Sequence, residues 1–433
     1  MNSMISPRLR TVLALAVLLF LRPVPVFTGS GVTAIRCGGV IDVNSGKRLG
    51  PMVIIVEDNI IKEVGPDPAI PRGAEIVDLG DATVLPGLID CHTHLLLHDG
   101  PYSDQLLKES IPMRAILGVE AARRTLDAGF TTVRDMETEG AMYADADLRD
   151  AVAAGHIPGP RIFACTRSLV TTGSYAPFGM SWELDLPHGA QEADGVEGVR
   201  LAVREQISHG ADWIKIYADS RYRNRGGDSL VGTPTFTDDE LKAIVDEAER
   251  EGVHVAAHCY TAEAAMRSVL AGVKSIEHGL YLDDPTFALM KAKGVFWVPT
   301  LIAYYTRAND STASEAERKR YGVSAARHRE SFARGLEQGV AIAFGTDMYS
   351  PHGAGTREFG LMVDYGMKPM DAIVSATRTA AQLLGLAGEI GSIEPGKAAD
   401  IIAVRGNPLE NIRILENVSF VMKGGTIYKR IKE

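Results

Sequence analysis

The residues able to do chemistry gather in a few short, mostly apolar runs. Leu88-Ile-Asp-Cys-His92-Thr-His94 carries two histidines two positions apart, and on a strand that spacing turns both imidazoles to one face. Two neutral imidazoles on one face suit a divalent metal of the zinc type. A His-x-His pair is a weak signal by itself, because core and surface histidines fall at that spacing without any metal. Here it has company. His258 closes Val255-Ala-Ala-His258, His278 closes Ser275-Ile-Glu-His278, Asp347 closes Ala343-Phe-Gly-Thr-Asp347, and Lys215 lies inside Asp212-Trp-Ile-Lys215-Ile-Tyr217. Four of the 11 histidines, one aspartate and one lysine thus sit at the ends of β-like runs or inside them. Their shared placement argues for a single site more strongly than any member does alone.

Such placement needs a frame that brings strand ends together. Runs rich in β-formers are expected over 87–94, 131–136, 161–164, 212–217, 254–258, 275–278, 296–299 and 341–347. Helical patterns follow them at 113–128, 144–153, 196–209, 238–251, 262–271, 285–293, 316–338 and 370–384. Thr237-Asp-Asp-Glu240 reads as a capping box opening the fourth helix. Eight alternations predict an α/β fold, a (β/α)8 TIM barrel, whose active site lies at the C-terminal ends of the strands. No Gly-x-Gly-x-x-Gly follows any of these strands, which disfavours a doubly wound open sheet. Short β runs with turn signals at 32–42, 52–65 and 74–85, and again at 399–404, 418–422 and 426–428, predict a small β-sandwich built from both chain ends. The expected divisions are a leading segment 1–29, sandwich parts 30–86 and 389–433, and a barrel over 87–388.

The chain has 433 residues, with 45 Lys+Arg against 55 Asp+Glu, a net charge of −10 that argues against a nucleic-acid partner. Arg8 and Arg10, the apolar run Thr11–Leu21 and the small residues Thr28-Gly-Ser30 read as a secretory signal peptide. The apolar run is too short for a bilayer span of about 20 residues. The expected location is therefore secreted or periplasmic, with no stable membrane span. Four scattered cysteines do not make a disulfide framework.

Taken in order, the opening strands, Val84-Leu-Pro-Gly-Leu-Ile-Asp-Cys-His-Thr-His94, Ile214-Lys-Ile-Tyr217, Ala257-His258, Ile276-Glu-His-Gly279, Gly345-Thr-Asp347 and Gly396-Lys-Ala-Ala-Asp400 resemble the amidohydrolase superfamily. Within it they resemble the secreted metal-dependent branch of Xaa-Pro dipeptidases and ochratoxin-type amidases. That resemblance implies two divalent metal ions of the zinc type. His92, His94 and Asp347 would hold one, and His258 and His278 the other. Lys215, carboxylated by carbon dioxide to a carbamate, would bridge both. An ammonium has donors and no acceptor, whereas a carbamate offers two oxygens. A water shared by two dications ionises near neutral pH, giving a metal-bridging hydroxide, and Asp347 beside it would serve as general base and then acid.

Substrate contacts are less marked. Tyr217 shares the face of Lys215 and is either a donor to the substrate or a buried structural tyrosine. Arg223 and Arg225, in the basic run after the fourth strand, would pair with a substrate carboxylate or simply face solvent. His188 follows the third strand, and His352 either lines the pocket or faces solvent. Where related chains often carry Gly-Gly-His, this one has Gly173-Ser-Tyr175. The reading is a hydrolase of amide bonds in dipeptides or N-acyl amino acids, a dipeptidase- or carboxypeptidase-like homo-oligomer with a small-molecule substrate. Its alternatives are a cyclic-amide or imidazolone hydrolase or a deaminase on the same barrel, and, from another class, a non-catalytic binding protein.

Overall fold

The computed structural model describes residues 31–175, 180–181, 183–219 and 229–430. Apolar β runs at the two chain ends build two small sheets. In one, Val32–Cys37 lies between Met52–Glu57, antiparallel, and Glu75–Asp78, parallel, with Ile60–Gly65 at the edge. In the other the order is Thr426–Arg430, Phe420–Lys423, Ile401–Val404, Thr83–Pro86, Gly39–Asp42, Lys47–Leu49. The chain ends meet there, with Ile402 opposite Leu85 and Ala403 opposite Val84. Ile35, Ile54, Val56 and Val77 from the first sheet share one buried apolar cluster with Val40, Ile401, Phe420 and Met422 from the second. The expected 32–42 strand is broken at Gly38. A Cβ there would lie 2.5 Å from the Asp81 carbonyl oxygen, and the Gly38 N–H leaves the strand to reach the Ala82 carbonyl (3.0 Å).

Between the ends, parallel strands alternate with helices. Leu88–Thr93, Phe130–Asp135 and Arg161–Ala164 pair in one parallel ladder. Trp213–Tyr217, His254–Thr261, Ser275–Tyr281 and Phe296–Val298 pair in another, with the short strands Leu169–Val170 and Gln191–Glu192 at its edge. These strands are buried along nearly their whole length, as expected of parallel strands covered on both faces. The Asp212 N–H donates to the Ala164 carbonyl (2.7 Å), linking the third strand to the fourth.

The run expected as an eighth strand, 341–347, forms no ladder of its own. It meets its neighbours through the single bridges Trp297–Ile342 and Thr93–Met348. Around them, the Ala343 N–H donates to the Trp297 carbonyl (2.9 Å), the Cys91 N–H to the Phe344 carbonyl (2.9 Å) and the Asp347 N–H to the His92 carbonyl (2.8 Å). Regular pairing is interrupted because the Phe344 N–H turns to the Ser375 carbonyl (3.0 Å). That same carbonyl lies where the expected 370–384 helix breaks into Pro369–Val374, a π turn Ser375–Thr379 and Ala380–Leu383.

The other expected helices form, at Ile111–Asp127, Ala144–Ala153, Gly195–Ser208, Asp238–Arg250, Ala262–Ala271, Asp284–Lys293 and Glu315–Gln338. Both hydrogen bonds of the Thr237–Glu240 capping box are present. Among the described residues, three α-helices that the sequence pattern did not mark, Tyr102–Lys108, Leu301–Ala308 and Arg357–Asp364, lie in the connections. Among the described residues no helix is long and apolar enough to cross a membrane. All four cysteines are buried free thiols.

Candidate metal centre

The C-terminal ends of the parallel strands carry the histidines to one place. His92 belongs to the first strand, and His94 lies one residue beyond it. Both meet the carboxylate of Asp347: His94 Nε2 is 3.0 Å from Oδ1 and His92 Nε2 is 3.6 Å from it. His278 approaches from the sixth strand, with Nδ1 4.0 Å from the other Asp347 oxygen. Among the described residues, His92, His278 and Asp347 form the group whose ligand atoms all lie within 4.8 Å of one another. His258 stands beside this group, its ring 4.5 Å from that of His278 and its Nε2 3.6 Å from Asp219 Oδ1. Lys215 points inward from the fourth strand, 1% exposed, with Nζ 5.2 Å from the centre of the Tyr217 ring.

His92 Nε2 and Lys215 Nζ are among the buried polar atoms here that make no hydrogen bond among the described residues. Buried polar groups nearly always find a partner, so the bare His92 Nε2 lone pair beside the Asp347 carboxylate fits a cation-binding centre. The donor set, imidazole nitrogens with carboxylate oxygen, suits zinc and its neighbours among the first-row metals.

Charge sets the proton distribution. Burial, reinforced by the charge of Lys215, pushes His92 down to about 4, so its ring is neutral at ordinary pH. Burial acts the same way on His94, but the hydrogen bond to Asp347 and that residue's charge override it and raise His94 to about 9. Two histidines on one strand end thus differ because one touches the aspartate at hydrogen-bond distance and the other does not. The Asp347 side chain is 24% exposed, against 0–4% for His92, His94, His258 and His278. It is the member of the group that faces the mouth.

Sequence reasoning passed over the groups that hold these side chains. His92 Nδ1 donates to Glu277 Oε2 (2.8 Å). Arg134 Nη2 donates to the other Glu277 oxygen (2.8 Å), and Ser275 Oγ donates there as well. Burial would raise the Glu277 carboxyl, but Arg134, and His92 after it, hold it down to about 2. An acceptor fixed on Nδ1 fixes the tautomer and leaves Nε2 with its lone pair. Asp90 accepts from the His92 and Thr346 amides, at 3.0 and 3.1 Å, and so joins the two runs that bear His92 and Asp347. Thr300 Oγ1 is hydrogen-bonded with His278 Nδ1 (2.8 Å). The one advance signal was the position of Glu277, immediately before His278 on the same strand.

The substrate candidates are placed less uniformly. Tyr217 lies at the site, its ring 4.6 Å from that of His258, but its hydroxyl donates to the buried Glu137 (2.8 Å). His188 is half-exposed and 3.7 Å from Glu192. His352 Nε2 donates to the Leu97 carbonyl (2.7 Å) rather than pointing at the histidine cluster. Arg223 and Arg225 lie outside the described residues.

A sequence profile of the amidohydrolase family matches residues 83–431, from the strand before His92 to the last strand of the C-terminal sheet. Ochratoxinase of Aspergillus niger is 31% identical over 432 aligned residues, covering 93% of this chain and 88% of that protein. A solved Xaa-Pro dipeptidase with methionine bound in its active site is 37% identical, with a TM-score of 0.84 over 92% of this chain and all of that one. A prolidase solved with N-methylphosphonate-L-proline is 33% identical, with the same TM-score and coverage. With its histidines and aspartate gathered at the strand ends as a metal-dependent hydrolase requires, the chain belongs to the amidohydrolase family and is an enzyme that hydrolyses carbon–nitrogen bonds.

Proposed function

We propose that the chain is a binuclear metal-dependent amidase that cleaves the peptide-like bond of a dipeptide or N-acyl amino acid with a free C-terminal carboxylate. The observation that carries this reading is the convergence of His92, His94 and His278 on Asp347, with Lys215 Nζ buried close by and bare of hydrogen bonds. His92, His94 and Asp347 would hold one ion, His258 and His278 the other, and Lys215 as its carbamate would join them. Two such ions, zinc in this reading, supply Lewis acidity to a water and to the scissile carbonyl.

The protein's own groups do the rest. Asp347, reachable from the mouth, takes the proton of the attacking water and returns it to the leaving amine. Glu277 and Arg134 keep His92 in the tautomer with Nε2 unprotonated. The rings of Tyr217, Tyr260 and Tyr304, packed around His258 and His278, exclude bulk water and strengthen every charge interaction inside. The preference for a free carboxylate draws support from the related structures solved with methionine and with a proline phosphonate.

The ring of parallel strands, linked by the Trp297–Ile342 and Thr93–Met348 bridges and the Asp212–Ala164 hydrogen bond, supports a closed eight-stranded barrel over 87–388. The cluster shared by the two small sheets supports a satellite sandwich from 30–86 and 389–433. The basic, apolar and small-residue order over 8–30 supports export to a secreted or periplasmic location, and a homo-oligomer remains part of the reading.

The test of substrate class is a panel of dipeptides and N-acyl amino acids, each assayed with a free and with an amidated C-terminus. The expected result is turnover of the free acids at least about tenfold faster than of their amides, since a charge-assisted hydrogen bond contributes about 1.5–3 kcal/mol. Equal rates would overturn the free-carboxylate preference.

A further inference from the structure

The helix Glu315–Gln338 packs against the sixth strand and turns an unusual face toward it. Ser324, His328 and Ser331, at helical spacing of four and three, are all buried, so the face that an outer helix ordinarily fills with apolar side chains carries a polar stripe. Each of the three reaches the segment that ends the sixth strand. His328 Nε2 donates to the His278 carbonyl (3.0 Å). Ser331 Oγ donates to the Leu280 carbonyl (2.9 Å) and reaches that of Leu282 (3.3 Å). Ser324 Oγ accepts from the Tyr281 hydroxyl (2.9 Å).

The segment so held needs holding. His278 has φ +68° and Gly279 follows at +66°. The left-handed region is unfavourable for a residue with a Cβ and persists where the surroundings over-determine it. The His278 carbonyl takes a second donor, Trp297 Nε1 (2.9 Å), and a Cβ on Gly279 would lie 2.6 Å from that same nitrogen. A carbonyl accepts and cannot donate, so the His328 proton is on Nε2. Its Nδ1 has no hydrogen-bond partner among the described residues, as an unprotonated ring nitrogen packed against Trp297 and Tyr304 would be.

We infer that His328, with Trp297, is a positioning residue that clamps the His278 carbonyl and thereby sets the left-handed bend that aims the His278 imidazole into the metal centre. The inference rests on the proposed ligand role of His278. His328 touches no reacting atom. It acts through the backbone of a ligand supplied by a different element, 50 positions away in sequence. Nothing in the metal-binding motifs points to it.

The experiment is a zinc titration of the metal-stripped full chain, alongside His328→Leu, His328→Gln, Trp297→Phe and His278→Ala, with thermal midpoints recorded for each. His328→Leu deletes the donor, and its expected effect is a loss of about tenfold in zinc affinity at one site, the lower end of the range for groups behind a ligand. His328→Gln keeps an N–H at a similar reach and is expected to restore affinity to within about threefold. Trp297→Phe removes the second donor and is expected to weaken the same site, which keeps the test alive should His328→Leu fail to fold. Zinc binding unchanged in both His328→Leu and Trp297→Phe would overturn the clamp while leaving the ligand set standing. So would a lowered thermal midpoint with equal weakening at every site and no recovery in His328→Gln. Unchanged zinc binding in His278→Ala would instead overturn the ligand role and the clamp with it.

Discussion

The two small sheets and the mouth of the parallel strands are built from opposite materials. The buried apolar cluster shared by the sheets includes Ile35, Ile54, Ile401 and Phe420, and Thr83 is the one buried polar residue on their described strands. At the mouth, Asp90, Arg134, Glu137, Lys215, Asp219 and Glu277 are all buried. Backbone geometry divides the same way. Of the seven described non-glycine residues with positive φ, Asp58 lies in a hairpin of the sheets, while Glu139, Met142, Thr166 and Thr300 follow parallel strands, His278 lies within one and Asp347 ends the 341–347 run. Apolar burial is non-directional and tolerates its neighbours. Buried charge and a left-handed backbone both cost stability and persist where other contacts enforce them. The sheets therefore serve stability, and the mouth gives up stability to hold a set of charges in fixed positions.

The sharpest way to break that contrast is to remove a charge that does chemistry. Asp347→Asn should lower kcat by about 10²–10⁴-fold, the usual worth of a positioned acid–base group, while metal analysis shows the ions largely retained. Unchanged turnover would remove Asp347 from its proton-transfer role. Glu277→Gln tests whether stability and metal binding are joined at the mouth. It leaves Arg134 charged and unpaired in the interior, an expected cost of about 3–5 kcal/mol by urea unfolding, and it should weaken zinc binding by about 10–100-fold. Phe420→Ala is the counterpart in the sheets. A cavity there should cost about 3–5 kcal/mol yet leave kcat and zinc affinity as they were; a change in zinc affinity would show that the two regions are not separable.

A smaller effect is expected from Glu358, whose carboxylate oxygens accept from the Leu301 and Ile302 amides at 2.8 and 2.6 Å. Burial raises this carboxyl from 4.5 to about 8 against those two donors. Between those values the folded chain binds more protons than the unfolded one, so stability present below about pH 4.5 is lost as pH rises toward 8. Urea midpoints for the wild-type chain should fall across that window by an amount worth on the order of 2 kcal/mol or more. Glu358→Gln should flatten the slope, and an identical slope in the variant would acquit this residue.

Legibility in the sequence followed the range of the interactions. The six candidate ligands stood out because each lies in or beside a short apolar run, and strand ends are where such a fold keeps its chemistry. The paired helices were legible from local pattern and caps. What escaped was non-local. The Arg134–Glu277 bond spans 143 positions and the His92–Glu277 bond 185, and no local spacing encodes either. The last parallel run gave a strand pattern but no ladder, because the Phe344 amide was claimed by Ser375, and the same contact broke the smooth helix expected over 370–384. His352 sits close after Asp347 in sequence, yet its ring turns to the Leu97 carbonyl.

The central claim is a pair of ions joined through Lys215, and counting metal in the purified full chain and in its Lys215→Ala variant tests it most directly. The account predicts about two transition-metal ions per wild-type chain and one or fewer in the variant, with partial recovery when a short carboxylic acid is added. About one ion in the wild-type chain, or about two retained after loss of the lysine, would contradict it.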